Sequence, residues 1–528
     1  MSTSKAAGGR GVGKVYLVGA GPGDPGLITL RGTFLLKRAE VVVYDYLANR
    51  KLLQHAPAGA LFIYAGKKGG GLHAFTQEQI NALLVRHALE GKRVVRLKGG
   101  DPFIFGRGAE EIEELVRHGV PFEVVPGVTS ATAAATYAGI PITHRGYTSS
   151  VAFVTGHEDP TKEKSDIDWE KLATGVGTIV VYMGIKNLPV ITRKLMEHGR
   201  SPRTPAAVVR WASTPHQHSV QGTLENITDI VHRAGIRPPA LVIVGEVVGL
   251  RNTIDWFEKR PLFGRRIVVT RTREQASELV AALEEQGAEC LEHSTINIEP
   301  VDDYRVLDEA LQHIDSYRWL LFTSLNAVRY FFSRLEKQGM DTRDLKGPRI
   351  GAVGKTTAES LLRHGIRVDL LPEKFTGEGL AASLIATDDH PGPVLIPRAL
   401  QAREVLPNLL EAAGYKVTIA PVYRNVPPVS EAGGRDVLRR ELAAKKIDMV
   451  TFTSSSTVTN FLRLVDAENQ DDLHALMQGT HIAAIGPITA KTVRNHGLSV
   501  DVQPRKYTIA EMVRSIVDFY REGGDRSP

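Results

Sequence analysis

Two stretches decide how this chain folds: RIGAVGKTTAESLLRHGIRVDLLPEKFTGEGL, from Arg349 to Leu380, and HIAAIGPITAKTVRNHGLSVDVQPRKYTIAEM, from His481 to Met512, which echoes it at an offset of 132. Just upstream of each, RWLLFTSLNAVRYFF, ending at Phe332, is echoed by DMVTFTSSSTVTNFL, ending at Leu462, so that Phe322-Thr323-Ser324 matches Phe452-Thr453-Ser454. A fainter echo links IVVTRTREQASELVAALEEQGAE, from Ile267, with VLIPRALQAREVLPNLLEAAGYK, from Val394. Each segment runs from a β-branched strand through a Thr/Ser/Gly turn into apolar residues at helical spacing, such as Leu361, Leu362 and Ile366. Such units in series build parallel sheets with helices on both faces, and the ordered echoes predict two similar subdomains. Ligands on such sheets bind beyond the strand carboxyl ends, so the crevice between the subdomains is the expected site.

The N-terminal half alternates in the same way without a clear internal repeat. Strands are expected at VYLVGAG, AEVVVYD, KRVVRLKGG, FEVVPG, SVAFVTG, TIVVYMG, PAAVVRWAS and ALVIVGEVV, with Ala240 to Leu250 reading as one buried strand. Between the halves, Arg251 to Arg266 carries Trp256, Phe257, Pro261, Phe263 and Gly264. Short and partly aromatic, this stretch is expected to pack against a neighbour, unlike a flexible polar linker. The expected organisation is a disordered N-terminus over 1–13, a domain over 14–258, a linker over 259–264, a two-subdomain unit over 265–520 and a disordered tail over 521–528.

At 528 residues the chain is too long for one hydrophobic core, and 42% hydrophobic with 23% charged residues argues against a disordered or fibrous class. Its formal charge of +6 is unevenly placed: Met1 to Arg260 holds 32 Lys and Arg against 23 Asp and Glu, and the remainder 33 against 36. A lone cysteine, Cys290, cannot form an intramolecular disulfide, which points to a reducing cytoplasm. With no apolar leader and no run of 18 apolar residues, the chain is expected to be neither exported nor membrane-spanning.

Three small-residue loops follow three strands. In the first, Gly19-Ala20-Gly21-Pro22-Gly23-Asp24-Pro25-Gly26, the dinucleotide pattern G-x-G-x-x-G fails because Asp24 stands where glycine is needed. A rigid turn presenting backbone to another ligand, or a plain tight turn, fits better. The second, Lys98 to Gly108, combines Gly99 and Gly100 with Asp101 and the Phe103-Ile104-Phe105 segment, and leads into the acidic helix start Glu110 to Glu114. The third, Pro126 to Ala131, opens an Ala-rich helix. Together they suggest one nucleoside-sized ligand. His216 and His218, at i and i+2 without other close ligands, are poor metal spacing, and no metal is expected. Gly351 to Thr356 imitates a P-loop, but Arg349 stands where Walker A requires glycine and Pro487 replaces Lys355 in the repeat. Backbone N–H groups at these helix starts meeting carboxylates is the more natural role.

The motifs GAGPGDPGLITLRG, VVVYD, RLKGGDPFIFGRG, VVPGVTSATAAATYAGIPITHR, VTGH and VVYMG together resemble the tetrapyrrole methylase family, specifically uroporphyrinogen-III C-methyltransferases, from about Lys14 to Trp256. The C-terminal half, with FTS twice and Val422-Tyr423-Arg424, resembles uroporphyrinogen-III synthase. The resemblance implies an α/β chain: a two-lobed methylase fold, then a two-subdomain parallel-sheet synthase fold with internal duplication. It implies S-adenosylmethionine as cofactor of the first half, lined by Pro22, Gly99, Gly100, Asp101, Ile104, Thr129, Ser130, Met183 and Ala212, and no cofactor for the second. Asp45 and Lys67 fall where the family places its acid/base pair, and Arg31, Arg107, His144 and Arg145 are candidates to hold substrate carboxylates. In the synthase half Tyr423 is the candidate catalytic group, with Ser324, Ser454 and Thr489 as substrate contacts.

The implied function is a bifunctional one. The C-terminal half closes hydroxymethylbilane to uroporphyrinogen III, and the N-terminal half methylates that product twice to precorrin-2, for siroheme or cobalamin. Partners are then small tetrapyrroles, with no nucleic acid or membrane, and a homodimer forms through the methylase half. The alternatives are methylation of another corrin intermediate or of RNA by the first half, and a binding or regulatory module in the second. Basic stretches interleaved with aromatics, the mark of an RNA enzyme, are not seen.

Overall fold

Val41, Val42 and Val43 are all fully buried, Val41 and Val43 in one apolar cluster and Val42 in another, as a strand covered on both faces requires. In the computed structural model, which describes residues 11–66, 75–157, 166–270, 273–293, 297–388, 390–426 and 434–523, such strands form four sheets. The chain divides into two compact units, Met1–Arg265 with Gln286–Glu289, and Arg266–Glu285 with Cys290–Pro528.

The first unit has two lobes. One is a parallel sheet in the order β3-β2-β4-β1-β5, from β1 (Lys14–Gly19), β2 (Val41–Tyr44), β3 (Leu61–Tyr64), β4 (Arg93–Lys98) and β5 (Phe122–Val125). The other has the order β6-β7-β10-β8-β9, from β6 (Val151–Thr155), β7 (Thr178–Tyr182), β8 (Pro205–Arg210), β9 (His218–Thr223) and β10 (Ala240–Val244). Only its β6–β7 pair is parallel; β7–β10, β10–β8 and β8–β9 are antiparallel. All eight expected strands are present, and β3 and β9 were not legible, being short and, in His218–Thr223, polar. The strand expected over Ala240 to Leu250 stops at Val244: Gly245, at φ 147°, turns the chain into a 3-10 helix over Glu246–Leu250. The aromatic segment after it packs as expected, with Trp256 Nε1 donating to Thr136 O and the Phe257 ring 4.7 Å from that of Tyr137.

The second unit contains β11 (Arg266–Val269), β12 (Glu289–Glu292), β13 (Asn297–Pro300), β14 (Trp319–Phe322), β15 (Arg349–Ala352), β16 (Pro393–Ala399), β17 (Lys416–Val426), β18 (Met449–Phe452) and β19 (His481–Ala484). Their sheets have the orders β12-β11-β18-β19 and β13-β17-β16-β14-β15. The duplication is visible in the backbone. The cap residues Ser324 and Ser454 have φ/ψ of −162°/159° and −162°/162°, and Gly354 and Gly486 have −166°/171° and −167°/175°. Asp369 and Asp501 each accept from a backbone N–H, of Ile350 at 2.7 Å and Ile482 at 2.8 Å.

The repeats do not each make one subdomain. The first sheet takes β11 and β12 from repeat one and β18 and β19 from repeat two, and the second takes β14 and β15 from repeat one and β16 and β17 from repeat two. Register is preserved through the exchange, for Ile267 pairs Met449 as Val394 pairs Trp319. Because the repeats share one pattern, each can complete the other's sheet. Their equivalent connecting segments meet where β13 runs antiparallel to the end of β17, Ile298 opposite Asn425.

Candidate active site

In the first unit, the three small-residue loops touch one another directly. Gly21 and Gly100 exchange backbone hydrogen bonds, Gly100 N–H to Gly21 O at 2.7 Å and Gly21 N–H to Gly100 O at 3.3 Å. A Cβ on Gly127 would lie 2.3 Å from Gly100 O, and one on Gly99 2.4 Å from Leu47 Cβ, so neither position accepts a side chain without displacing its neighbour. Asp101 serves this joint: Oδ1 accepts from the N–H groups of Phe103 and Ile104, and Oδ2 from that of Gly127 at 3.0 Å.

These loops wall a cavity of about 500 Å³, lined in part by Pro22, Gly99, Gly100, Ser130, Met183 and Ala212. The wall also takes Tyr46 to Asn49 after β2, and His157, Tyr182, Lys186, Trp211 and Pro238 from the second lobe, none of which sequence reasoning singled out. Tyr182 ties the lobes, its hydroxyl 2.5 Å from Thr129 Oγ1 and accepting from Ala131 N–H. Asp24, unsuited to a phosphate, turns inward instead, accepting from Gly26 N–H and from the Tyr137 hydroxyl at 2.8 Å; burial, reinforced by Asp24, pushes that phenol's pKa up. Five of the seven non-glycine residues with positive φ among the described residues, Phe105, Arg107, Met183, Trp211 and Ser213, lie in the loops around this cavity. Backbone strain of that kind concentrates where a ligand must be met.

Asp45 directly precedes the Tyr46 to Asn49 wall. Its Oδ1 accepts from the N–H groups of Leu47 and Ala48, and its Oδ2 lies 3.5 Å from Arg96 Nη2. Behind it stands a buried ionic cluster that the sequence reading passed over: Arg96, Lys98 and Glu111, exposed by 4%, 4% and 0%. The signal was present, since RVVRLK places two cations on one face of a strand that must be buried on both, and such a face needs a counter-charge.

Other expected residues are placed differently. Ile104 and Thr129 belong to the same loops but do not line the cavity, and Lys67 lies outside the described residues. Arg31 is paired with Glu123 at 2.6 Å and Arg107 with Glu110 at 2.5 Å, so each must exchange a partner before holding a substrate carboxylate. His144 and Arg145 are exposed, and neither lines the cavity.

In the second unit, Tyr423 is 8% exposed, its hydroxyl 3.2 Å from Ser324 Oγ. A register shift between Arg398 and Ala399 puts Ala399, not Leu400, opposite Tyr423, a bulge of the kind that re-aims a side chain. Ser454 caps the equivalent helix in the other subdomain, accepting from Thr457 N–H, and Thr489 is buried in the first turn of the helix Pro487–Asn495.

Residues 14–228 match the family model of tetrapyrrole (corrin/porphyrin) methylases, and residues 277–514 that of uroporphyrinogen-III synthase HemD. A porphyrin biosynthesis protein HemD of Ruminiclostridium josui is 38% identical over 96% of this chain and 98% of its own length. The chain belongs to this family of methylase–synthase fusions. Its methylase half is similar to an S-adenosyl-L-methionine-dependent uroporphyrinogen III methyltransferase of Methanosarcina barkeri, 52% identical over 46% of this chain and 94% of that protein. It is also similar to the crystal structure of a uroporphyrin-III C-methyl transferase from Thermus thermophilus complexed with S-adenyl homocysteine, at 46% identity, covering 45% of this chain and all of that one, with a TM-score of 0.39. The fusion thus carries uroporphyrinogen-III C-methyltransferase and uroporphyrinogen-III synthase domains and acts in tetrapyrrole biosynthesis. No helix among the described residues is long and apolar enough to cross a membrane.

Proposed function

We propose that the synthase half closes hydroxymethylbilane to uroporphyrinogen III without a cofactor, and that the methylase half adds two methyl groups to that product, giving precorrin-2 for siroheme or cobalamin. The observation that carries the methylase reading is the cavity of about 500 Å³ walled by the glycine loops: Gly99 and Gly100 line it, and the loops close on one another because Gly99 packs on Leu47 and Gly127 on Gly100 with no room for a Cβ, which leaves a space that fits a nucleoside-sized cofactor. S-adenosylmethionine, which would be held by Pro22, Gly99, Gly100, Ser130, Met183 and Ala212, supplies a sulfonium methyl as electrophile. The chain's own contribution is to position the electron-rich pyrrole carbon, which already bears a substituent and becomes quaternary on methylation, and to take up the balancing proton that the macrocycle releases from a pyrrole N–H or a bridging CH2. Asp45 is the group for that proton, being fixed by two backbone N–H groups and Arg96 beside the cavity wall, with Lys67 as its acid/base partner.

In the synthase half, Ser324 Oγ accepts from Ala327 N–H and its own proton is free to donate to the Tyr423 oxygen. The phenol proton of Tyr423 is thereby available to the departing hydroxyl of the bilane. Ser454 and Thr489 belong to the facing subdomain's substrate contacts. Tetrapyrrole carboxylates call on Arg31, Arg107, His144 and Arg145, and the methylase half forms a homodimer in the cytoplasm.

The full chain tests this directly. Incubated with hydroxymethylbilane alone it yields the type III isomer; with S-adenosylmethionine added, mass rises by two methyl groups. Recovery of only the spontaneous type I isomer would overturn the synthase assignment, and unmethylated type III product the methylase one.

A further inference from the structure

Glu111 lies in the helix Gly108–Arg117, and its side chain has no exposure to solvent. One oxygen, Oε1, accepts from Lys98 Nζ at 2.6 Å, Arg96 Nε at 3.3 Å and Gln77 Nε2 at 3.3 Å. The other, Oε2, is buried with no hydrogen-bond partner among the described residues. A fully buried carboxylate crowded on one oxygen and bare on the other is a poor way to stabilise a fold, since desolvating the charges offsets most of their attraction. Its geometry makes sense through Arg96. That guanidinium is clamped at Nε by Glu111 and at Nη1 by the carbonyls of Val43 and Leu97, which leaves Nη2 aimed at Asp45 Oδ2. Lys98, whose proton affinity burial lowers first and Arg96 second, is held by the same oxygen immediately before Gly99 of the cavity wall.

We infer that Glu111 is a positioning residue for methyl transfer: through Arg96 it fixes the Asp45 carboxylate beside the cavity. The inference rests on the reading of Asp45 given under Proposed function. Glu111 touches neither cofactor nor substrate; it sets where Arg96 stands, and Arg96 sets Asp45.

The test uses the full chain, supplied with uroporphyrinogen III and S-adenosylmethionine, in the wild type, Glu111→Gln, Asp45→Asn and the double variant. E111Q is expected to lower kcat for methylation on the order of tenfold to a hundredfold, with KM for S-adenosylmethionine within about twofold of wild type. On the D45N background it is expected to add no further loss, because its effect runs only through Asp45. A merely structural role would lower activity additively in both backgrounds. Additive losses, an E111Q kcat within about twofold of wild type, or a loss confined to KM would each overturn the inference. If D45N itself turns over at the wild-type rate, the assignment of Asp45 falls and the route through it falls too; additive losses with D45N impaired leave that assignment standing. Should far-UV circular dichroism show E111Q unfolded, K98M/E111Q measured against K98M carries the same comparison, since it leaves Arg96 and Asp45 as a neutral pair.

Discussion

Loss of water around the Tyr423 ring raises its phenol above the ordinary value of 10.0, and the hydrogen bond from Ser324 only partly offsets this. The shift keeps the proton in place throughout the neutral range, which suits the proposed donation to a leaving hydroxyl. Tyr423→Phe keeps the ring and removes the proton; it is expected to lower kcat for cyclisation about tenfold or more, with a larger fraction of type I product by chromatography. Wild-type cyclisation should hold its rate past the pH at which an ordinary tyrosine ionises. Stability runs the other way: above about pH 10 the unfolded tyrosine loses its proton before the folded one, so this residue's contribution falls as pH rises.

At the level of elements, one carboxylate in the second unit joins a helix to a strand. Asp388, at the end of the helix Gly377–Thr387 and 1% exposed, accepts from Arg318 Nε at 2.8 Å and from Trp319 Nε1 at 2.7 Å, so one residue joins that helix to β14. The Arg318 guanidinium, against the opposing effect of burial and with help from Trp319, holds its pKa down to about 2. A depressed carboxylate contributes stability above the unfolded value of 3.8 and loses it as pH falls toward about 2. The shift corresponds to about 2 kcal/mol. Asp388→Asn is expected to cost about that much at pH 7 and to flatten the loss of stability between pH 4 and 2, read from denaturant midpoints at several pH values. An unchanged acid limb would show that the fastening lies elsewhere.

For the whole molecule, the two compact units predict two calorimetric transitions. S-adenosylhomocysteine at about 100 times its Kd should stabilise one of them by about 2.7 kcal/mol and leave the other in place; a joint shift of both would overturn independent unfolding. The sequence alone sets the alternation of strands and helices, because β-branched runs such as Val41–Val43 and helical stripes such as Leu361 and Ile366 are local patterns that burial rewards wherever they occur. It also determined the small-residue loops, whose glycines at 99 and 127 allow contacts that any other residue blocks and whose Gly100 supplies a φ of 71°. It did not determine which strands pair. The two repeats carry equivalent patterns, so either could complete either sheet, and only long-range pairing placed β11 beside β18 and β16 beside β14. Nor did it reveal Glu111, which reads as a favourable charge in the first turn of a helix until the fold buries it against Arg96 and Lys98. Charge pairing across 13 to 15 residues of chain depends on where a helix lands on a sheet, and that is a property of the packed structure alone.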